Sequence, residues 1–158
     1  MSNIRIGFGY DFHKLIDGEH MYLGGYKINS NYSIDAHSDG DVVLHALADA
    51  IYGALASGDI GIHFPSNDSN KNIASSKIIK HAINLLSENM YSINNIDVTI
   101  ILEKPYLKEE IVKIRESLSN LISVDINQIS IKSSTSQKIG LIGNNQAIAC
   151  YVSILVEK

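Results

Sequence analysis

The sequence predicts an α+β fold, a mixed β-sheet with helices packed on one face, and three observations carry that prediction. Strand-like and helix-like segments follow in the order strand-strand-helix-helix-strand-helix-strand-strand. That order lacks the strict alternation that puts helices on both faces of a parallel sheet. The helical segments each carry an apolar stripe, as a helix needs when one side meets a core. The strands are rich in tyrosine, so the uncovered sheet face is only partly polar. An oligomer that buries this face is therefore expected.

At 158 residues the chain has the size of one domain, spanning 1–158, and can bury a substantial core. With 45% hydrophobic and 19% charged residues it reads as a globular protein rather than a disordered one. A net charge of -4 argues against nucleic acid or an anionic membrane as the main partner, while leaving room for a local pocket for a phosphorylated ligand. The single cysteine, Cys150, cannot pair within the chain, which suits a reducing compartment. No apolar run is long enough to span a bilayer, and "MSNIRIGFGYDFH" has no signal or transit pattern. A cytoplasmic location is the expectation.

In order along the chain, "IRIGFGY" alternates bulky residues with glycine and predicts a strand ending near Asp11. "MYLGGYKI" predicts a second extended segment with a bend or bulge at Gly24 and Gly25. Val43, Leu44, Leu47, Ile51 and Leu55 fall at helical spacing and predict a helix from Val42 to about Ala56. Asp39 or Asp41 would be its N-cap and Gly58 its stop. "DIGIHFPSNDSNKN" reads as an exposed loop. A second helix is predicted over Ser75 to Asn89, with Ile78, Ile79, Ala82, Ile83 and Leu86 on its apolar face. "NIDVTIIL" is a β-branched strand, Lys108 to Ile122 a third helix, and "QISIKSST" a further strand. "AIACYVSILVEK" closes the chain with Ile148, Cys150, Val152, Ile154 and Val156 on one side.

Three residues stand out chemically. Asp11 and His13, two apart on a strand, point to the same face. Alone, such a pair is more often a surface hydrogen bond than a metal site. His45 lies on the first turns of the Val42 helix, close to the side that should be buried. A core histidine satisfied by a carbonyl is the duller reading. Together the three offer the ligand set of a catalytic zinc site with an open fourth position. Asp49, one turn beyond His45, could orient its imidazole or be a solvated helix carboxylate. His37 and Ser38 precede a helix start, where free N–H groups favour phosphate. "KSSTSQK", Lys132 to Lys138, follows a strand and could receive phosphate or sugar groups, or be an ordinary turn. No P-loop, no dinucleotide glycine fingerprint and no nucleophile elbow is present; "GFG" at Gly7 to Gly9 lacks the third glycine and the following helix.

Taken in order, "RIGFGYDFH", "LGGYKI", "AHSDGDVVLHALADAIYGALASGDIGIHFP", "IDVTIILEKP" and "AIAC" resemble the 2-C-methyl-D-erythritol 2,4-cyclodiphosphate synthase family over almost the whole chain. The resemblance implies a homotrimer whose strand faces associate around a three-fold axis, with active sites between subunits. It implies cyclisation of 4-diphosphocytidyl-2-C-methyl-D-erythritol 2-phosphate with release of CMP, a lyase step of the non-mevalonate isoprenoid pathway. It puts one Zn2+ on Asp11, His13 and His45, the first two also bordering the substrate. His37 and Ser38 match the holders of the 2-phosphate, and Asp59 with Gly61 the contacts to the erythritol hydroxyls. Thr135 matches a contact to the diphosphate, Ser133 and Ser134 beside it are further substrate-binding candidates, and the segment Leu102 to Tyr106, with Pro105, matches the cytosine loop. His37 and Thr135 are the expected catalytic residues, with Mg2+ or Mn2+ on the substrate diphosphate.

The chain also departs from the family pattern. Gln137 replaces a glutamate that helps bind this second ion, predicting weaker binding. Ser66 replaces a substrate-facing acid, with Asp68 nearby as a substitute. Asn144 and Leu141 replace an arginine and an aromatic residue, which argues against an isoprenoid diphosphate site on the trimer axis.

Overall fold

The computed structural model describes residues 3–36, 38–65 and 73–158. Strand β1 (Ile4–Asp17) is followed by β2 (His20–Leu23), β3 (Tyr26–Asn29) and β4 (Tyr32–Asp35). Helices α1 (Val42–Ala54), α2 (Ile60–His63) and α3 (Ser75–Glu88) come next, then β5 (Ser92–Ile101) and α4 (Ile111–Ile122). A 3₁₀ turn (Ile126–Gln128), β6 (Ile129–Ser134), the short α5 (Gly140–Gly143) and β7 (Ala147–Glu157) complete the chain. The five-stranded sheet has the order β4-β1-β7-β5-β6, antiparallel except for the parallel pair β5–β6, while β2 and β3 form a separate hairpin. The predicted mixed sheet with helices on one face is what forms.

Helix α1 positions the site. Asp41 caps it, its carboxylate accepting from the amides of Val43 and Leu44 at 3.1 Å each. The same carboxylate accepts from Gly24 N at 2.9 Å and Gly25 N at 2.7 Å, so it also pins the β2–β3 turn to the helix start. Burial pushes this carboxyl up from its ordinary value, and the amides of Gly25, Gly24 and Leu44 pull against that. Leu44, Leu47 and Ile51 are fully buried, each contributing about 1.5–3 kcal/mol.

The helix lies unusually close to β1 because of Gly7 and Gly9. A Cβ at Gly9 would stand 1.8 Å from the Ala46 carbonyl oxygen, and one at Gly7 1.8 Å from that of Ala50. "GFG" is thus a helix-on-strand contact. On the other sheet face the alternate β1 residues are open: Ile6 is 77% exposed and Phe8 62%, beside Ile4, Tyr10, Phe12 and Ile16. Tyr151 of β7 joins them, 5.1 Å from the Tyr10 ring. Together they make a continuous apolar strip along β1 and β7.

Several sequence expectations need correction. Strand β1 runs on to Asp17, because "FHKLI" keeps the alternation and nothing interrupts it before Gly18. The "MYLGGYKI" segment is two strands of a hairpin, since Gly24 and Gly25 both take positive φ and reverse the chain. Strand β4 was unanticipated; it is short and half-polar, and exists because residues 14–17 of β1 offer it an edge. The stop of α1 is Ala56, not Gly58. Ala56 takes the left-handed conformation, with Ala56 N bonding Gly53 O and Ser57 N bonding Tyr52 O, a Schellman closure. Helix α2 interrupts the expected loop, and α4 begins at Ile111 instead of Lys108.

Candidate active site

Asp11 and His13 project from β1 on the side where α1 lies, and His45 descends from the first turn of α1. The Asp11 Oδ2 atom is 3.0 Å from His13 Nε2 and 3.1 Å from His45 Nδ1. The three ligand atoms lie within 4.8 Å of one another. Burial would push the Asp11 carboxyl up, but hydrogen bonds from His13 and His45 outweigh it and lower the value to about 2. The hydrogen bond it donates to Asp11 raises His13 above its ordinary value, against the opposing effect of burial.

This donor set fits a metal ion. One carboxylate oxygen and two imidazole nitrogens are the ligand types of a catalytic zinc site. Tetrahedral zinc would hold them about 3.3 Å apart, a few tenths of an ångström beyond the observed 3.0 and 3.1 Å. All three side chains keep some exposure, so the cluster has an open side.

Around this centre, Ser38 accepts from Gly40 N at 3.1 Å in the loop before α1. His37, Ser66 and Asp68 lie outside the described residues. Asp49 neither orients His45 nor stands free in solvent: it accepts from Ile60 N at 2.8 Å and so fixes the start of α2. Asp59 caps the same helix through Ile62 N at 3.0 Å, with Gly61 beside it.

A second cluster sits where β5 and β6 end. Leu102, Tyr106, Leu107, Ser133, Ser134 and Thr135 line one open groove. Pro105 faces a different depression, with Gly18 and Asn29. Thr135 Oγ1 accepts from Gln137 Nε2 at 3.2 Å, tying the glutamine to the groove. Phe12 pairs with Ala149, Ala149 with Ile101, and Ile101 with Ser134. The groove is therefore level with Asp11 and His13 but three strands away, about 14 Å within one chain.

Two contacts had no signal in the sequence. Ser75 Oγ lies 2.8 Å from His45 Nε2, and the same hydroxyl donates to Asp39. Their partners are 30 and 36 residues apart, so spacing could not have joined them. Glu103, nearly buried, accepts from Lys138 N at 3.4 Å and was likewise not singled out.

The chain is similar to known proteins over nearly its whole length. The sequence model of the YgbB family matches residues 4–157. The 2-C-methyl-D-erythritol 2,4-cyclodiphosphate synthase of Acinetobacter baylyi is 44% identical over 154 residues, covering 97% of this chain and 94% of the relative. That of Fusobacterium nucleatum is 42% identical over 156 residues, covering 98% of each. A CDP complex of IspF from Plasmodium falciparum superposes with a TM-score of 0.88 at 38% identity, over 99% of this chain and 97% of that one. The chain belongs to the YgbB family, that of the 2-C-methyl-D-erythritol 2,4-cyclodiphosphate synthases.

Proposed function

We infer that this chain is a cyclising, CMP-releasing lyase. It converts 4-diphosphocytidyl-2-C-methyl-D-erythritol 2-phosphate to 2-C-methyl-D-erythritol 2,4-cyclodiphosphate in non-mevalonate isoprenoid biosynthesis. The observation that carries the reading is the convergence of Asp11, His13 and His45 in a chain related to named synthases over nearly its whole length.

The chemistry asks for positioning more than for proton transfer. A 2-phosphate oxygen attacks the β-phosphorus, the bond from that phosphorus to the bridging oxygen breaks, and CMP leaves with the electron pair. The nucleophile is already anionic, so the main tasks are alignment and offsetting charge. Asp11, His13 and His45 would hold Zn2+. When bound, zinc supplies Lewis acidity toward a β-phosphate oxygen. His37 and Ser38 hold the attacking phosphate, with Gly40 N orienting the Ser38 hydroxyl. Asp59 and Gly61, at the start of α2, bind the erythritol hydroxyls. Thr135, with Ser133 and Ser134, receives the diphosphate where β6 ends, and Leu102 and Tyr106, in the loop that Pro105 shapes, take the cytosine. Ser66 and Asp68 complete the substrate loop. Mg2+ or Mn2+ would sit on the diphosphate, with Gln137 as a weak uncharged ligand.

A homotrimer in the cytoplasm completes the reading. The metal cluster and the groove stand about 14 Å apart in one chain; a neighbouring subunit can bring its groove to this chain's cluster. The exposed apolar strip on β1 and β7 supports burial of that sheet face at a three-fold axis. Phosphorus NMR of the reaction with the cytidyl substrate, zinc and magnesium tests the function. A cyclic diphosphate with free CMP is expected. A linear phosphate product would make the chain a hydrolase, and binding without CMP release would make it a ligand-binding module.

A further inference from the structure

We propose that Asp39 and Ser75 form a hydrogen-bond relay that fixes the His45 ring with its proton on Nε2, leaving Nδ1 free to bind a metal ion. Ser75 is fully buried at the first turn of α3. Its hydroxyl has a single hydrogen, and that hydrogen goes to Asp39 Oδ1. A carboxylate only accepts, so toward His45 the Ser75 oxygen presents a lone pair. The 2.8 Å contact with His45 Nε2 therefore requires Nε2 to donate. A neutral imidazole carries one N–H. With that hydrogen held on Nε2, Nδ1 is the nitrogen whose lone pair can go to a metal ion, in place of its hydrogen bond to Asp11 Oδ2.

The relay is anchored by the backbone. Ala74, ahead of α3, makes no side-chain cap, and Asp39 supplies one from the loop before α1, accepting from Ser75 N at 3.2 and 3.4 Å. One carboxylate thus docks the start of α3 against the loop that leads into α1 and aims the Ser75 hydroxyl. Asp41 N also approaches Asp39 at 3.4 Å. A capping role alone would need only the backbone amide; the hydroxyl-to-imidazole contact is surplus to it. Asp39 and Ser75 act through His45 and are positioning residues. The inference rests on the zinc reading of Asp11, His13 and His45.

Two variants separate the relay from simple packing. Ser75→Ala removes the acceptor for Nε2–H. Asp39→Asn keeps the size and one acceptor for the cap, but its amide can donate to Ser75. The serine hydrogen is then free to turn to His45 Nε2, which drives the proton to Nδ1, where the metal would bind. The test is zinc affinity of the full chain without substrate, by competition with a chromophoric chelator. Each variant is expected to weaken zinc roughly 10–100-fold while the zinc-free protein unfolds as the parent does. In zinc-loaded protein with labelled histidine, the His45 Nε2–H resonance should exchange slowly in the parent and be lost in Ser75→Ala. If Ser75→Ala unfolds, Asp39→Asn decides alone. Parent-like zinc affinity in Asp39→Asn, or in a folded Ser75→Ala, overturns the relay. A parent chain that takes up no zinc overturns the metal reading as well.

Discussion

Gly9→Ala tests whether the close approach of α1 to β1 builds the site. The added Cβ would stand 1.8 Å from the Ala46 carbonyl oxygen and 2.7 Å from Ala50 N. Both are backbone atoms, so no rotamer relieves the clash. Bringing the closer contact to 3.0 Å requires the helix to retreat by about 1.2 Å. His45 immediately precedes Ala46 and moves with it, away from an Asp11 oxygen now 3.1 Å from its Nδ1. Metal sites tolerate distance errors of about 0.2 Å, so the retreat is several times too large. Overpacking itself costs about 1–3 kcal/mol. The assay is zinc competition, with urea unfolding of the zinc-free protein at fixed chain concentration. Zinc affinity should fall roughly tenfold or more, and stability by about 1–3 kcal/mol. Gly53→Ala is the control: its Cβ would meet only Phe8 O at 3.8 Å, so zinc binding should be unchanged. Parent-like zinc affinity in Gly9→Ala would refute the reasoning.

Further outcomes follow from single contacts. Asp41→Ala loses a helix cap, about 1 kcal/mol, and strands the Gly24 and Gly25 amides, about 1–3 kcal/mol each. Urea unfolding should report a loss of about 3–7 kcal/mol, and a loss near 1 would mean that those amides find water. His13 is raised above 6.5 by Asp11, so zinc must displace a proton there. Affinity should climb with pH up to about tenfold per unit below that raised value and level off above it; a flat profile by chelator competition would contradict the assignment. The matching stabilisation of the metal-free chain is complete below the ordinary histidine value and lost as pH rises through the raised one. Gln137→Glu should lower the magnesium concentration giving half-maximal CMP release, and an unchanged requirement would mean that Gln137 does not touch that ion.

The sequence made legible what depends on local pattern. The period of "VVLHALADAIYGALA" gave α1, and alternation in "AIACYVSILVEK" gave the buried side of β7. Asp11, His13 and His45 could be joined because strand spacing aims the first two together and the helix offered a histidine on its inner side. Contacts between distant segments were not legible. Spacing sets Asp49 one turn from His45, yet its partner is Ile60, fixed by how α2 folds back. The two acids around Gly40 looked alike in sequence. Asp41 turned to its own helix and the β2–β3 turn, while Asp39 turned to α3. Strand β4 escaped notice because an edge strand of four residues exists only through pairing with β1.

The central claim is that one zinc ion per chain, held by Asp11, His13 and His45, organises the cyclisation. Its most direct test strips the protein of zinc and titrates the metal back in the presence of magnesium and the cytidyl substrate, following CMP release and cyclic product together. Both should rise from near zero and saturate at one zinc per chain. Full cyclic product formation by the zinc-free protein, or saturation unrelated to that stoichiometry, would contradict the account.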